Sequence, residues 1–208
     1  MIDWQSPRPP LVLASASPAR RRLLEAAGLA FEVRTSPVDE ALVREGLQSD
    51  GVAGDEAAVT LASVKGERVA LSAAPDEVVL AGDQLLVTAD GAWLDKPADA
   101  PAVAAQLARL AGATHTLYTA AVMFRGGGRV WHHVAAPKVT VRALADGFIR
   151  RYVAAGGEAL SGCVGGYQME GLGAHVLAGI RGDAYAVQGL PLLAVLDGLR
   201  AQGVLVDG

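Results

Sequence analysis

Apolar and polar positions along the 208 residues fall into two recurring periods. Leu11-Val12-Leu13-Ala14 is an unbroken apolar run, as expected of a strand covered on both faces. It stops at a hydroxyl loop, Ser15-Ala16-Ser17, and Ser17-Pro18 opens a helix. Ser17 suits the N-cap because its oxygen can accept from an orphan helix N–H. Pro18 suits the first helical position, where the missing N–H costs nothing. Gly28 is the expected stop. Phe31 to Thr35 alternates like a strand, and Ser36-Pro37 ends it. Val38-Asp39-Glu40 then reads as an acidic loop, and Gly46 to Gly54 as a polar, glycine-rich loop. Asp55 is placed to cap a helix from Glu56 to about Ala74, with Lys65 in its middle.

Glu77 to Ala81 reads as a buried strand that ends at Gly82-Asp83-Gln84 and resumes over Leu85 to Val87. Asp90-Gly91 is a hairpin signal before Trp93-Leu94, and Asp95-Lys96-Pro97 makes a charged corner. Asp99 caps a helix that runs to Leu110 and stops at Gly112. Thr114 to Phe124 is a long strand, Gly126 to Gly128 a turn, and Val130 to Val141 its antiparallel partner. Asp146 caps a further helix through Val153. The stretch from Gly156 to Gly173 is dense in glycine, which suits backbone packed closely against a ligand or another backbone. His175 to Ile180 is a strand, Arg181-Gly182-Asp183 a turn, and Gly189-Leu190-Pro191 opens a last helix to about Gln202. Strands and helices interleave with hairpins, which indicates an α/β protein with a mixed sheet.

Composition narrows the function classes. Hydrophobic residues make up 51%, enough for a real core. A net charge of -4 gives no global basic field for gripping nucleic acid, so any anion site is a local cluster. The single cysteine, Cys163, excludes an internal disulfide and suits a reducing compartment. The first ten residues, MIDWQSPRPP, are polar and proline-rich, unlike a signal peptide. No apolar run approaches the ~18 residues that suggest a membrane span. The expectation is a cytoplasmic protein, with residues 1–10 a disordered or extended tail and 11–208 a single domain.

Candidate chemistry gathers where elements begin and end. Arg20, Arg21 and Arg22 occupy a first helical turn, where the macrodipole favours acids. They make more sense with an anion there: two hydroxyls, free backbone N–H groups and arginines describe a phosphate site. The competing reading is a strand-to-helix corner with solvated arginines. Asp83 follows an apolar run, where a carboxylate can bind a divalent ion or act as a base, or simply end the strand in an Asx turn. Lys65, Lys96 and the Asp39-Glu40 pair would each, alone, be solvated. Together, carboxylates for a metal and cations for phosphates are two halves of a phosphoryl-transfer or pyrophosphate-hydrolysis site. His132-His133 point to opposite faces of a strand, and with His115 and His175 isolated no zinc spacing appears. There is no G-x-S-x-G elbow and no G-x-x-x-x-G-K-[ST] loop. Cys163 has no nearby base and reads as a buried structural thiol.

Seven pieces, in order, resemble the Maf family of nucleoside triphosphate pyrophosphatases from Leu11 to Gln202. They are LASASPARR (Leu13 to Arg21), VDE (Val38 to Glu40), Lys65, AGDQ (Ala81 to Gln84), DKP (Asp95 to Pro97), CVGGYQMEGLG (Cys163 to Gly173) and VQGLPL (Val187 to Leu192). The resemblance implies a partly antiparallel twisted sheet flanked by helices, similar to inosine triphosphatases, with an active-site cleft between two lobes. It also implies hydrolysis of a nucleoside triphosphate to the monophosphate and pyrophosphate. Ser15, Arg20, Lys65 and Lys96 would hold the phosphates, with Ser17 at the helix opening and Arg21 as help or flank. Asp39 or Glu40, with Asp83, would hold Mg²⁺, Mn²⁺ or Co²⁺, and Asp83 would activate water. Gln84 and Glu170 would read the base. Both resemble the branch assigned to 7-methyl-GTP, although that branch often has Trp where this chain has Ala19. The alternatives are a dTTP/UTP or other non-canonical nucleotide pyrophosphatase, or a non-catalytic nucleotide-binding regulator of cell division. The family suggests a homodimer, with no nucleic acid and no membrane partner.

Overall fold

A computed structural model of the chain describes residues 4–35 and 37–206. Ser36, expected to end the second strand, lies outside the described residues, as do residues 1–3 and 207–208. The chain divides into two compact units. One is built from residues 1–84, 119–135 and 189–208, the other from 85–118 and 136–188.

The strands are β1 (Leu11–Leu13), β2 (Glu32–Val33), β3 (Val78–Val87), β4 (Trp93–Leu94), β5 (Thr114–Arg125), β6 (Gly128–Ala135), β7 (Lys138–Val141) and β8 (Leu177–Arg181). In the first unit β1 pairs in parallel with both β2 and β3, and β6 pairs antiparallel with β5. Helix α1 (Pro18–Ala26) turns Leu23 and Leu24 inward, and Leu13, Leu80, Met123 and Leu190 complete the same core. Ser17 caps α1 as expected, accepting from the Arg20 N–H, and Gly28 follows its end at φ 76°. The N-terminal segment is tied down from Trp4 onward: Ser6 N–H donates to Val204 O at 2.9 Å and Val206 N–H to Trp4 O at 3.1 Å.

Three local expectations change between β2 and the end of β3. The acidic loop and the polar stretch after it contain helix α2 (Glu40–Ser49), which starts where the Asp39 carboxylate accepts from Leu42 N–H at 3.1 Å. None of its residues is buried, so it carries no deep apolar stripe for the sequence to display. Helix α3 (Gly54–Ala70) begins one residue before Asp55, which therefore sits in the first turn, where its charge suits the dipole. Strand β3 does not stop at Gly82-Asp83-Gln84; it runs through them without a break, which removes the Asx-turn reading of Asp83.

The second unit packs helices α4 (Ala100–Leu110) and α5 (Asp146–Gly156) with Leu107, Leu117, Val139 and Tyr152 in its core. Asp99 caps α4 as expected, accepting from Ala102 N–H at 2.8 Å. The expected long partner of β5 is two strands, because Pro137 has no N–H to keep a ladder going. The glycine-dense stretch forms three short 3-10 turns. Its glycines allow backbone to lie on backbone: a Cβ on Gly173 would stand 2.3 Å from the Gln168 carbonyl oxygen. Two further helices complete the chain, α6 (Ala184–Val187), capped by Asp183, and α7 (Leu192–Ala201). Among the described residues no helix is long and apolar enough to cross a membrane.

Candidate active site

Five of the residues singled out by sequence form two groups of polar contacts in the first unit, Lys65 with Asp83 and Glu40, and Arg20 with Ser15. Strand β3 supplies the centre. Its pleat sends Gly82 and Asp83 to opposite faces. On the Asp83 side, α3 packs closely because Gly66 has no side chain: a Cβ there would stand 2.6 Å from the Phe124 ring and 3.0 Å from Ala81 Cβ. That approach brings the neighbouring Lys65 to Asp83. The Lys65 Nζ donates to Asp83 Oδ1 at 2.6 Å and pairs with Glu40 Oε2 at 2.7 Å. Lys65 and Asp83 are 16% and 12% exposed against 57% for Glu40, so the pair is sheltered and Glu40 closes it from outside.

At Gly82, α1 delivers Arg20. The Arg20 side chain lies against Gly82, where a Cβ would stand 3.2 Å from its Nε and 2.9 Å from Ala120 O. The guanidinium is buried and held at two points: Nε donates to Gly189 O at 2.8 Å and Nη1 to Ser15 Oγ at 3.0 Å. Burial lowers its pKa, while the charges of Asp83 and Glu40 raise it. The arginine that looked misplaced at a helix start therefore already has counter-charges in its own unit. Ser15 Oγ also accepts from Ser17 N–H at 3.3 Å, so both its lone pairs are engaged and its O–H proton is the part left to donate.

The other expected residues are placed as follows. Asp39 spends an oxygen on the α2 cap. Arg21 is exposed and pairs with Glu25 at 3.5 Å along α1. Ala19 is half-buried beside Arg20. Gln84 Nε2 donates at 2.9 Å to Thr119 Oγ1, a hydroxyl with no solvent exposure. Lys96 and Glu170 belong to the second unit, where both are exposed. There Gln106 spans the two loops that carry them, donating to Asp95 O at 2.7 Å and accepting from Gly165 N–H at 3.0 Å. Cys163 is half-buried, with its sulfur 3.2 Å from Gln168 Nε2.

Sequence reasoning missed Thr119, Gly189 and Gln106. Thr119 had a faint signal, as the last hydroxyl before the apolar run Ala120 to Phe124. Gly189 acts through its carbonyl, presented from a backbone at φ 111° that favours glycine.

Glu40 and Asp83 offer a divalent cation two carboxylate oxygens already gathered about one positive centre, the Lys65 ammonium. That donor set suits a hard cation. Among the described residues no group of three or more His, Cys, Asp or Glu side chains is arranged to hold a metal, so water or substrate oxygens would complete the shell.

The family described as Maf-like protein matches residues 10–202. A protein of Rhodospirillum rubrum named nucleoside triphosphate pyrophosphatase is 44% identical over 199 residues, covering 96% of this chain and 98% of that one. A protein of Rhizobium meliloti named 7-methyl-GTP pyrophosphatase is 40% identical over 198 residues, covering 95% and 98%. Among solved structures, a nucleoside-triphosphatase / dITP/XTP pyrophosphatase from Mycobacterium abscessus is similar at 16% identity and a TM-score of 0.42, covering 93% of each chain.

Proposed function

The chain belongs to the Maf family of nucleoside triphosphate pyrophosphatases, and from that premise we propose that it hydrolyses 7-methyl-GTP to 7-methyl-GMP and pyrophosphate. The observation that carries the reaction centre is the contact of Lys65 with Asp83 and Glu40, two acids whose charges also act on Arg20. Ser15, Arg20 and Lys65 bind the triphosphate, and the Ser15 O–H donates to a phosphate oxygen. Asp83 takes a proton from the attacking water. The water oxygen bonds to the α-phosphorus as the α–β anhydride bond breaks, pyrophosphate leaves with the bonding pair, and the cations offset the charge that develops on it. A divalent cation held by Glu40 and Asp83, such as Mg²⁺, Mn²⁺ or Co²⁺, supplies further neutralisation of phosphate charge when bound.

Lys96 and Glu170 join this assignment through the family resemblance, Lys96 to the phosphates and Glu170 to the base. A carboxylate accepts from the N1–H and the 2-amino group of a guanine and repels the carbonyl oxygens of uracil and thymine. An N7-methylated guanine is also cationic, which an acid favours. The Gln84 amide is held by Thr119 in the first unit and is the second base reader.

The test is pyrophosphate release with Mn²⁺ across 7-methyl-GTP, GTP, ITP, dTTP and UTP. The reading expects the highest kcat/KM with 7-methyl-GTP. A preference for dTTP or UTP overturns the base assignment, and nucleotide binding without any pyrophosphate release points to a non-catalytic regulator.

A further inference from the structure

Lys65 holds, with one ammonium, the two oxygens that a divalent cation would need. Two of its three N–H donors go to those carboxylates, so taking up more than one phosphate oxygen loosens that grip. Lys65 meets Glu40 and Asp83 directly, and the charges of the same two acids act on Arg20. A cation entering this cluster meets the ammonium at its point of attachment. A triphosphate entering it attracts both cations and is repelled by both carboxylates.

We infer that Lys65 is an internal counter-ion that closes the Glu40–Asp83 pair to divalent cations until a triphosphate draws the ammonium away. Nucleotide and divalent cation then bind with positive coupling, each raising the affinity of the other by the same factor. The inference rests on the reading of this cluster as a triphosphate site and deepens it by fixing which partner opens the site to the other. It assigns Lys65 two alternating partners, carboxylates in the free protein and phosphate oxygens in the complex. It also makes the free protein a poor chelator, although it carries two convergent acids.

The test is a Mn²⁺ titration followed by the electron paramagnetic resonance of free Mn²⁺. It uses the full chain, with and without a guanine nucleotide whose α–β bridging oxygen is a methylene, and corrects for Mn²⁺ held by the analogue in solution. In the native protein the analogue tightens Mn²⁺ at least about tenfold, a coupling of about 1.4 kcal/mol. In Lys65→Met, Mn²⁺ binds without analogue at least about tenfold more tightly than to the native protein, and the coupling is at least about tenfold smaller than native, what remains being direct ligation of the ion by phosphate oxygens. Lys65→Gln, which keeps a hydrogen-bonding head without the charge, shows the same loss of coupling. Native coupling below threefold overturns the inference. So does a Lys65→Met or Lys65→Gln protein, folded by circular dichroism, that binds Mn²⁺ no more tightly than the native chain. Failure of the analogue to bind the native protein with or without Mn²⁺ overturns the triphosphate reading itself.

Discussion

The Lys65 ammonium stands 2.6 Å from Oδ1 of Asp83, within a shelter formed where α3 packs on β3. A sheltered ion pair is weak evidence of a stability function, because the desolvation of both charges opposes their attraction. Its value here is positional. It holds the candidate base and a phosphate-binding cation at one point, with Glu40 closing the outside.

Arg20→Lys tests the second cation. A lysine keeps the charge but cannot donate to Gly189 O and Ser15 Oγ along one rigid fork. The expected loss is about 1–3 kcal/mol of unfolding free energy, read by urea denaturation, with KM raised about tenfold or more. Unchanged stability and KM would show that neither contact matters.

Gly82→Ala tests the close approach on the opposite face. The added methyl would meet Ala120 O at 2.9 Å and Arg20 Nε at 3.2 Å. Displacement of the guanidinium follows, with about 1–3 kcal/mol of destabilisation in a thermal melt and a parallel fall in kcat/KM.

Glu170→Gln tests the base reading. The amide presents an N–H where the carboxylate only accepts. Relative kcat/KM for 7-methyl-GTP against UTP is expected to fall about tenfold or more. An unchanged ranking of substrates would remove Glu170 as a reader.

His115 gives the second unit an acid limit. Its Nε2 is 2.6 Å from the Tyr167 hydroxyl, its Nδ1 has no hydrogen-bond partner among the described residues, and burial pushes its pKa down to about 4. The ordinary value near 6.5 applies in the unfolded chain, so the folded state favours the neutral ring. This contribution is fully present above about pH 6.5 and is lost as pH falls toward 4, by about 3 kcal/mol in total. Urea melts between pH 7 and 4 should show that slope in the native protein and a flatter one in His115→Gln.

Much of this was legible in the chain because it rests on local chemistry. The Ser17 cap, the Pro18 start and the Asp99 cap are short-range hydrogen-bond arguments, and the structure keeps all three. Helix α2 was not legible, since a helix with no buried residue has no deep stripe to reveal it. Asp83 was read as a strand end because a glycine and a carboxylate usually mark one. The strand continues because Arg20 covers the gap at Gly82 and Lys65 meets the charge of Asp83, and both partners are far away in sequence. The contact between Lys65 and Glu40 was hidden for the same reason, while the residues themselves were named by their resemblance to a family.

The most direct measurement is pyrophosphate release by Asp83→Asn at saturating nucleotide and Mn²⁺. Asparagine keeps the shape of Asp83 and an oxygen for Lys65, so the circular dichroism and melting of the variant should stay close to native. With the carboxylate gone as base and ligand, kcat is expected to fall by about 10³-fold or more. A folded Asp83→Asn protein with near-native turnover would contradict the placement of the reaction at this pair.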